Sequence, residues 1–236
     1  MKIHKFDPAE ISGIIFDLDG VITNTASIHS VAWQKSFDTH LKEISKKKFI
    51  KSDYLNYIDG KPRLNGIQDY LNSRKIKITK LLVDTISREK NYLFQSLIKI
   101  NEIETFNDSI KLLKEIKKQK IKVAVASSSK NCRLILKKTK LLRIFDFIID
   151  GNDLEKRKIK GKPNPDIFLI AIKKLKLNKH KTLIFEDSSS GIISAANSGA
   201  KFIIGVARSS NNKELMKAGA NIVVNSIDQI RINKWT

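Results

Sequence analysis

Short runs of consecutive apolar residues follow one another after residue 105, and an amphipathic stretch separates each run from the next. The runs cover residues 122–127, 145–150, 182–187, 202–206 and 221–224. Runs of this length without polar alternation are typical of strands buried on both faces, and an earlier run over residues 13–17 has the same character. The pattern predicts an α/β fold with a parallel sheet whose strands are joined by right-handed crossovers through helices.

Polar residues, proline and glycine at the ends of the amphipathic stretches predict where several helices begin and end. Asn107 or Asp108 is expected to cap the helix that follows, because short polar side chains accept hydrogen bonds from the first free N–H groups. Asn164 followed by Pro165 predicts the start of another helix, and Gly199 predicts the end of a third.

Residues 28–103 do not follow the strand and helix alternation. They form successive amphipathic patterns that predict helices over residues 28–40, 61–73 and 79–100, and they contain no convincing buried strand. We therefore expect a helical domain at 28–103, inserted into an α/β domain that comprises 1–27 and 104–236. An insertion that leaves from the carboxyl end of a strand is a candidate lid over the ligand site of an open sheet.

Composition excludes several classes of protein. The chain has 236 residues, of which 45 are lysine or arginine and 24 are acidic, so the formal net charge is +21. The basic residues are dispersed along helices without interleaved aromatic residues, so we expect a solvated surface and no nucleic-acid partner. No apolar run or leader pattern predicts a membrane span or a secretory signal. Cys132 is the one cysteine, which excludes an intramolecular disulfide, favours a cytoplasmic protein and predicts a packed apolar side chain.

Charged and hydroxyl side chains stand where the predicted strands end. The set comprises Asp17, Asp19, Ser127, Lys162, Glu186 and Asp187. The carboxyl ends of parallel strands meet at one edge of a sheet, so these groups should lie close together. Clustered carboxylates repel one another unless a cation joins them, and hard oxygen ligands suit Mg²⁺. The lysine and the serine would then bind an anion, and phosphate is the natural candidate.

Four ordered motifs resemble those of the haloacid dehalogenase superfamily of phosphotransferases: DLDGV at 17–21, Ser127 after an apolar strand, Lys162 before proline, and the acidic pair at 186–187. The resemblance implies a Rossmann-like core with an inserted helical cap. It also implies that Asp17 is the nucleophile that accepts the phosphoryl group and that Asp19 is the general acid and base. Ser127 and Lys162 would bind phosphoryl oxygens. The metal ligands for Mg²⁺ would be Asp17, Asp19, Glu186 and Asp187.

Further segments are similar to the β-phosphoglucomutase-like subfamily, at residues 21–33, 59–63, 88–91 and 125–131. This resemblance implies interconversion of β-glucose 1-phosphate and glucose 6-phosphate by a monomer that acts on a small sugar phosphate. The substrate-binding residues that it implies are Thr25, His29, Trp33, Gly60, Lys61, Arg63, Lys90, Ser129, Lys130 and Asn131. Arg63 would clamp the phosphate that does not react, since its planar fork suits that anion.

Several interpretations stay open at this point. His29 could orient Asp19 or merely pack, and Lys90 could belong to a solvated basic helix. Asn24 stands where the family often has aspartate, which leaves the sugar preference open. A sugar-phosphate phosphatase on the same scaffold is the nearest alternative function. A polyanion-binding protein with a decayed site is the alternative from another class, and the intact acidic motifs disfavour it.

Overall fold

The computed structural model describes residues 2–44, 47–208 and 212–233. The chain divides into two compact units, one formed by Met1–Asn24 with Glu104–Thr236 and the other by Thr25–Ile103. The predicted first boundary lies after residue 27, whereas the structure divides the chain after Asn24. The first is an α/β unit and the second is a helical unit.

The α/β unit contains a six-stranded parallel sheet and a separate parallel strand pair. The strands are β1 (His4–Phe6), β2 (Gly13–Phe16), β3 (Lys122–Ala126), β4 (Phe147–Ile149), β5 (Thr182–Glu186), β6 (Phe202–Val206), β7 (Ile222–Val224) and β8 (Ile230–Ile232). The large sheet has the order β4-β3-β2-β5-β6-β7, and β1 pairs with β8. The predicted parallel sheet is confirmed, with β2 near its centre.

Strand β2 shows why the strands read as continuous apolar runs. Ile14, Ile15 and Phe16 are fully buried, and the Phe16 ring stacks on Phe185 of β5 with centroids 4.8 Å apart. A central parallel strand has both faces covered, so neither face of β2 needs polar residues. Strands β1 and β8 were missed, since each has three residues and an exposed residue at its middle position.

The helices of the α/β unit pack around the sheet. They are α5 (Asn107–Lys118), α6 (Cys132–Lys138), α7 (Gly151–Arg157), α8 (Asp166–Leu175), α9 (Ser189–Asn197) and α10 (Asn212–Ala218). Cys132 is fully buried, as predicted. Gly199 ends α9 with φ +74°, which confirms that prediction.

Two of the predicted helix caps are wrong. Helix α5 starts one residue earlier than expected, with Phe106 at the N-cap position, so Asn107 and Asp108 lie inside its first turn. Helix α8 has Pro165 at its N-cap, and the Asn164 amide donates instead to the Gly161 carbonyl at 3.2 Å. Asp108 likewise has another partner, since its Oδ1 accepts a hydrogen bond from Arg208 Nη2 at 2.7 Å, and the sequence shows neither contact.

The helical unit consists of α1 (Ala26–Leu41), α2 (Lys51–Asp53), α3 (Arg63–Ser73) and α4 (Lys80–Ile100), with a π-helical turn at Tyr54–Ile58. Its core is rich in aromatic rings. Phe37 lies 4.4 Å from Tyr70 and 5.1 Å from Phe49, measured between ring centroids. The three predicted helices are confirmed as α1, α3 and α4, while the sequence missed α2. No helix in the described part of the chain is long and apolar enough to cross a membrane.

Helix ends that carry lysine are a distinctive feature of both units. Lysines with φ between 53° and 60° follow α3, α5, α6, α7 and α8, at Lys75, Lys120, Lys140, Lys158 and Lys176. The backbone N–H of each lysine donates to the carbonyl three residues earlier at 2.9–3.1 Å. The backbone N–H of the residue after the lysine donates to the carbonyl five residues before it, at 2.8–3.2 Å. These bonds define Schellman motifs, in which glycine usually occupies the left-handed position. The residue after each lysine is isoleucine or leucine.

Candidate active site

Asp17 follows β2 directly and lies at the carboxyl edge of the large sheet. Its N–H donates to the Phe185 carbonyl at 2.9 Å, which fixes the backbone against β5. The residue is 7% exposed, and one carboxylate oxygen accepts a hydrogen bond from Lys162 Nζ at 2.5 Å. Burial is the main cause that raises the pKa of Asp17 to about 8; the charge of Lys162 opposes the rise, and the charges of Glu186 and Asp19 contribute to it.

Lys162 is the buried cation of this edge. It is 1% exposed, and its Nζ lies 2.5 Å from an oxygen of Asp17 and 2.5 Å from Oε1 of Glu186. The ammonium also lies 5.2 Å from the centroid of the Phe168 ring. Burial alone would lower the pKa of Lys162, but the two carboxylates outweigh it and raise the pKa above its usual value. Lys162 is therefore charged and directed at Asp17.

Glu186 ends β5 and connects Lys162 to the start of α9. Its Oε2 accepts hydrogen bonds from the Asp187 N–H, the Ser188 N–H and the Ser188 hydroxyl at 2.9–3.0 Å. Helix α9 approaches the carboxylate so closely that a Cβ on Gly191 would lie 1.9 Å from it. Both oxygens of Glu186 are engaged, so the structure shows it positioning Lys162, and its predicted place among the metal ligands stays a prediction.

Asp19 and Asp187 lie on either side of a turn that requires glycine. Gly20 has φ +87°, and its N–H donates to the Thr23 carbonyl at 2.8 Å. A Cβ on Gly20 would lie 1.7 Å from Oδ2 of Asp187, so the carboxylate occupies the space that a side chain would need. Because Gly20 has no side chain, the loop after β5 can approach the loop after β2.

The acidic groups at this edge have the donor chemistry that Mg²⁺ prefers. Asp17, Asp19 and Asp187 offer carboxylate oxygens; burial is the main cause of the raised pKa of Asp17, and the charges of Glu186 and Asp19 add to it. Across residues 2–44, 47–208 and 212–233, no three His, Cys, Asp or Glu side chains are already arranged to hold a metal ion. The predicted ligand set fits by chemistry, and its geometry stays a prediction.

Ser127 begins a tight loop at the end of β3. The residue is 1% exposed; its N–H donates to the Ile149 carbonyl at 3.1 Å, and its hydroxyl oxygen accepts from the Ser129 N–H at 3.1 Å. The Ser129 hydroxyl oxygen in turn accepts from the Asn131 N–H at 3.2 Å. Asn131 is buried and stands at the N-cap position of α6. The predicted residues of this loop thus lie in one hydrogen-bonded turn.

The start of α7 packs against that loop. A Cβ on Gly151 would lie 2.5 Å from the Ser128 carbonyl oxygen, and the Gly151 N–H donates to the Ser129 carbonyl at 3.2 Å. Lys130 Nζ lies 2.7 Å from Oε1 of Glu155 on α7, so its predicted contact with substrate stays a prediction. Sequence analysis missed Gly151 and Glu155, because only the folded chain brings α7 to this loop.

In the helical unit, several predicted residues form one buried cluster. Lys90 is 3% exposed, and its Nζ lies 2.7 Å from Nδ1 of His29. The same ammonium lies 5.0 Å from the Trp33 ring and 4.7 Å from the Phe94 ring. Thr25 precedes α1, is buried, and its carbonyl accepts the His29 N–H at 2.9 Å. Lys90 therefore does not belong to a solvated helix face.

The other predicted residues of the helical unit lie around the start of α3. Gly60 has φ +70°, and Lys61 Nζ forms an ion pair with Asp69 at 2.7 Å. Arg63 is the first residue of α3, and its Nη2 donates to Oδ1 of Asn91 at 2.8 Å. Asn91 was missed as a site residue, although it belongs to the segment 88–91 that resembles the mutases.

Comparison with known proteins defines the class to which this fold and site belong. A model of the haloacid dehalogenase-like hydrolase family matches residues 14–205, and the chain belongs to that family. Family members generally use Mg²⁺.

Several of the similar proteins have names that describe sugar-phosphate enzymes. A β-phosphoglucomutase from Mycobacterium bovis is 32% identical, over 94% of this chain and 92% of that protein. A phosphorylated carbohydrates phosphatase from Thermotoga maritima is 27% identical, over 95% of this chain and 99% of that protein. The crystal structure of β-phosphoglucomutase from Clostridium difficile is similar with a TM-score of 0.79 and 32% identity, over 93% of this chain and 92% of that one. The relatives support a sugar-phosphate mutase or phosphatase.

Proposed function

We propose that the protein is a Mg²⁺-dependent β-phosphoglucomutase that interconverts β-glucose 1-phosphate and glucose 6-phosphate through the 1,6-bisphosphate. The observation that carries the proposal is the buried ion pair between Asp17 and Lys162 at 2.5 Å, at the carboxyl edge of the sheet. A carboxylate that attacks a phosphoryl dianion needs positive charge beside it, and Lys162 supplies it in a site from which water is largely excluded.

Asp17 takes part in two phosphoryl transfers. A carboxylate oxygen of Asp17 attacks phosphorus of the bisphosphate, and the bond to the sugar oxygen breaks. Asp19 then gives a proton to that oxygen. In the second transfer Asp19 removes the proton from the hydroxyl of β-glucose 1-phosphate that attacks the aspartyl phosphate, which regenerates Asp17 and forms the bisphosphate. Mg²⁺, held by Asp17, Asp19, Asp187 and Glu186, would neutralise phosphoryl oxygens.

Arg63 is the residue that favours a mutase over a phosphatase. A mutase binds its bisphosphate in both orientations, so it needs a site for the phosphate that does not react. The guanidinium of Arg63 provides a planar donor pair for that phosphate. The alternative is a sugar-phosphate phosphatase, in which water takes the phosphoryl group from Asp17, and the relative from Thermotoga maritima supports it.

Product analysis separates the two functions. The protein is incubated with Mg²⁺, β-glucose 1-phosphate and a trace of the bisphosphate, and glucose 6-phosphate and free phosphate are both measured. A mutase accumulates glucose 6-phosphate, whereas accumulation of free phosphate alone would establish the phosphatase. Asp17→Asn is the matched control, since it keeps the side-chain volume and should abolish both products.

Substitution of Arg63 tests the clamp. Arg63→Ala should lower kcat/KM for the sugar reaction roughly 10- to 150-fold, through loss of a charge-assisted contact of about 1.5–3 kcal/mol. Phosphorylation of Asp17 by acetyl phosphate, which has no second phosphate, should continue at nearly the original rate. Loss of both reactions would instead show that Arg63 supports the fold.

A further inference from the structure

Helix α4 supplies two acceptors to the guanidinium of Arg63. Nη2 donates to Oδ1 of Asn91 at 2.8 Å, and Nη1 donates to the carbonyl of Ser87 at 3.4 Å. Ser87 and Asn91 are four residues apart, so they lie one turn apart on the same face of α4. Arg63 and Asn91 are both half-buried. The two contacts fix the plane of the guanidinium with respect to α4.

We propose that Asn91 is a positioning residue of the phosphate clamp: its amide oxygen orients the Arg63 guanidinium for the phosphate that does not react. This inference rests on the proposed function. A free arginine side chain samples many rotamers and loses that freedom when it binds an anion, so an oriented guanidinium binds phosphate with a smaller loss of entropy. Asn91 restricts the rotamers of Arg63 before the substrate binds.

The chemistry of Asn91 suits this task because an amide oxygen carries no net charge. A second arginine of the helical unit shows the contrast. Arg74 Nη2 lies 2.7 Å from a carboxylate oxygen of Asp53, and its guanidinium lies 5.2 Å from the centroid of the Tyr70 ring. A carboxylate orients an arginine but also cancels its charge, which suits a structural role. The Asn91 amide oxygen orients Arg63 without itself adding a negative charge beside the guanidinium.

Four variants test the inference: Asn91→Ala, Asn91→Asp, Arg63→Ala and the double alanine variant. In Asn91→Ala we expect the KM for the bisphosphate to rise roughly 3- to 10-fold with little change in kcat, the size expected for one lost hydrogen bond. Asn91→Asp keeps an acceptor oxygen but adds negative charge, so its KM should rise further. In the Arg63→Ala background, replacing Asn91 should have no additional effect.

Matched controls separate positioning from folding. Asn72→Ala removes the same side chain from an exposed position on α3 and should leave KM unchanged. Phosphorylation of Asp17 by acetyl phosphate should be the same in all variants. Nitrogen-15 NMR of the Arg63 guanidinium reads the contact without any activity: rotation of its Nη groups should be slow in the wild-type protein and faster in Asn91→Ala. Unchanged rotation would overturn the inference.

The two proposals fail in different ways. The proposed function fails if wild-type protein releases only free phosphate, or if Arg63→Ala leaves KM unchanged. The inference about Asn91 fails alone if the sugar reaction depends on Arg63 but the losses in the double variant simply add. It also fails alone if Asn91→Asp retains the wild-type KM, because a purely structural acceptor would tolerate a carboxylate.

Discussion

Replacing the left-handed lysines by glycine should stabilise the protein. Lys120, Lys140, Lys158 and Lys176 end helices of the α/β unit with positive φ, and all are exposed. Their side chains can therefore be removed without opening a cavity. Glycine adopts the same backbone without the clash between Cβ and the following carbonyl oxygen. We expect each Lys→Gly variant to unfold at higher urea concentration than the wild-type protein.

The magnitude follows from two opposing contributions. A residue with a Cβ loses about 1–2 kcal/mol in the left-handed region. Glycine loses about 0.5–1 kcal/mol more conformational entropy on folding than alanine does. The net gain is about 0.5–1 kcal/mol per site, and because the sites terminate separate helices, the four together should give about 2–4 kcal/mol.

Alanine at the same positions is the matched control. Lys→Ala and Lys→Gly remove the same positive charge from a chain of net charge +21, but only glycine removes the Cβ. Urea unfolding followed by circular dichroism should rank the glycine variant above the alanine variant at every site. In about 1 M NaCl, where the Debye length is ~3 Å, the difference should persist. Lys111→Gly, in the exposed interior of α5, should instead destabilise by about 1 kcal/mol.

Three results would refute this reasoning. If the alanine variants were stabilised as much as the glycine variants, the gain would come from relief of charge repulsion, and the backbone would not be its cause. If the gain disappeared at high salt, the same conclusion would follow. Glycine variants less stable than the alanine variants would mean that the left-handed conformation does not limit stability at these helix ends.

Other substitutions test the site and its supports. Gly151→Ala should lower kcat/KM for the sugar reaction without unfolding the protein, because its Cβ would lie 2.5 Å from the Ser128 carbonyl oxygen; unchanged kinetics would contradict this. Burial alone would raise the pKa of Asp108, but hydrogen bonds from Arg208, Ser226 and the Ile227 N–H lower this pKa to about 2. The stability that Asp108 contributes, about 1–2 kcal/mol, is present above pH ~4 and should be lost as the pH falls towards ~2, and urea titrations of Asp108→Asn should lack that pH dependence. Lys162→Met leaves buried carboxylates without their cation, so it should lower the free energy of unfolding by about 3–5 kcal/mol and lower the rate of acetyl phosphate transfer at least ~10²-fold; a variant as stable as wild type would contradict the pairing.

The sheet could be predicted from the sequence because its strands are buried on both faces. Ile14 to Phe16 are fully buried in a continuous run, and β6 has the predicted bounds. Strands β1 and β8 could not be predicted, because each has an exposed middle residue and therefore forms no continuous apolar run. Their pairing joins His4 to Ile230, and such a contact between chain ends has no local signal. Local patterns predict elements, whereas pairing between distant short segments depends on the folded chain.

In the candidate site, too, local sequence patterns do not show contacts between distant segments. The positions of Asp17, Ser127 and Glu186 at one edge of the sheet could be predicted, because each lies at the carboxyl end of a strand of recognisable pattern. The contacts of Asn91 and Gly151 could not be predicted, since they depend on helices that approach from elsewhere in the chain. Asn91 meets Arg63 across 28 residues of sequence, and nothing local to either residue shows the contact.

Burial distinguishes two lysines from the many exposed ones in the described part of the chain. Within the described ranges, Lys90 and Lys162 are the buried lysines, at 3% and 1% exposure. A buried ammonium is costly unless partners stabilise it, and each of these lysines has them: His29 beside Lys90, and two carboxylates beside Lys162. Exposed lysines have no such requirement, so their number can change without altering the site. The charge of +21 therefore belongs mainly to the surface, whereas Lys90 and Lys162 are cations that the fold removes from water.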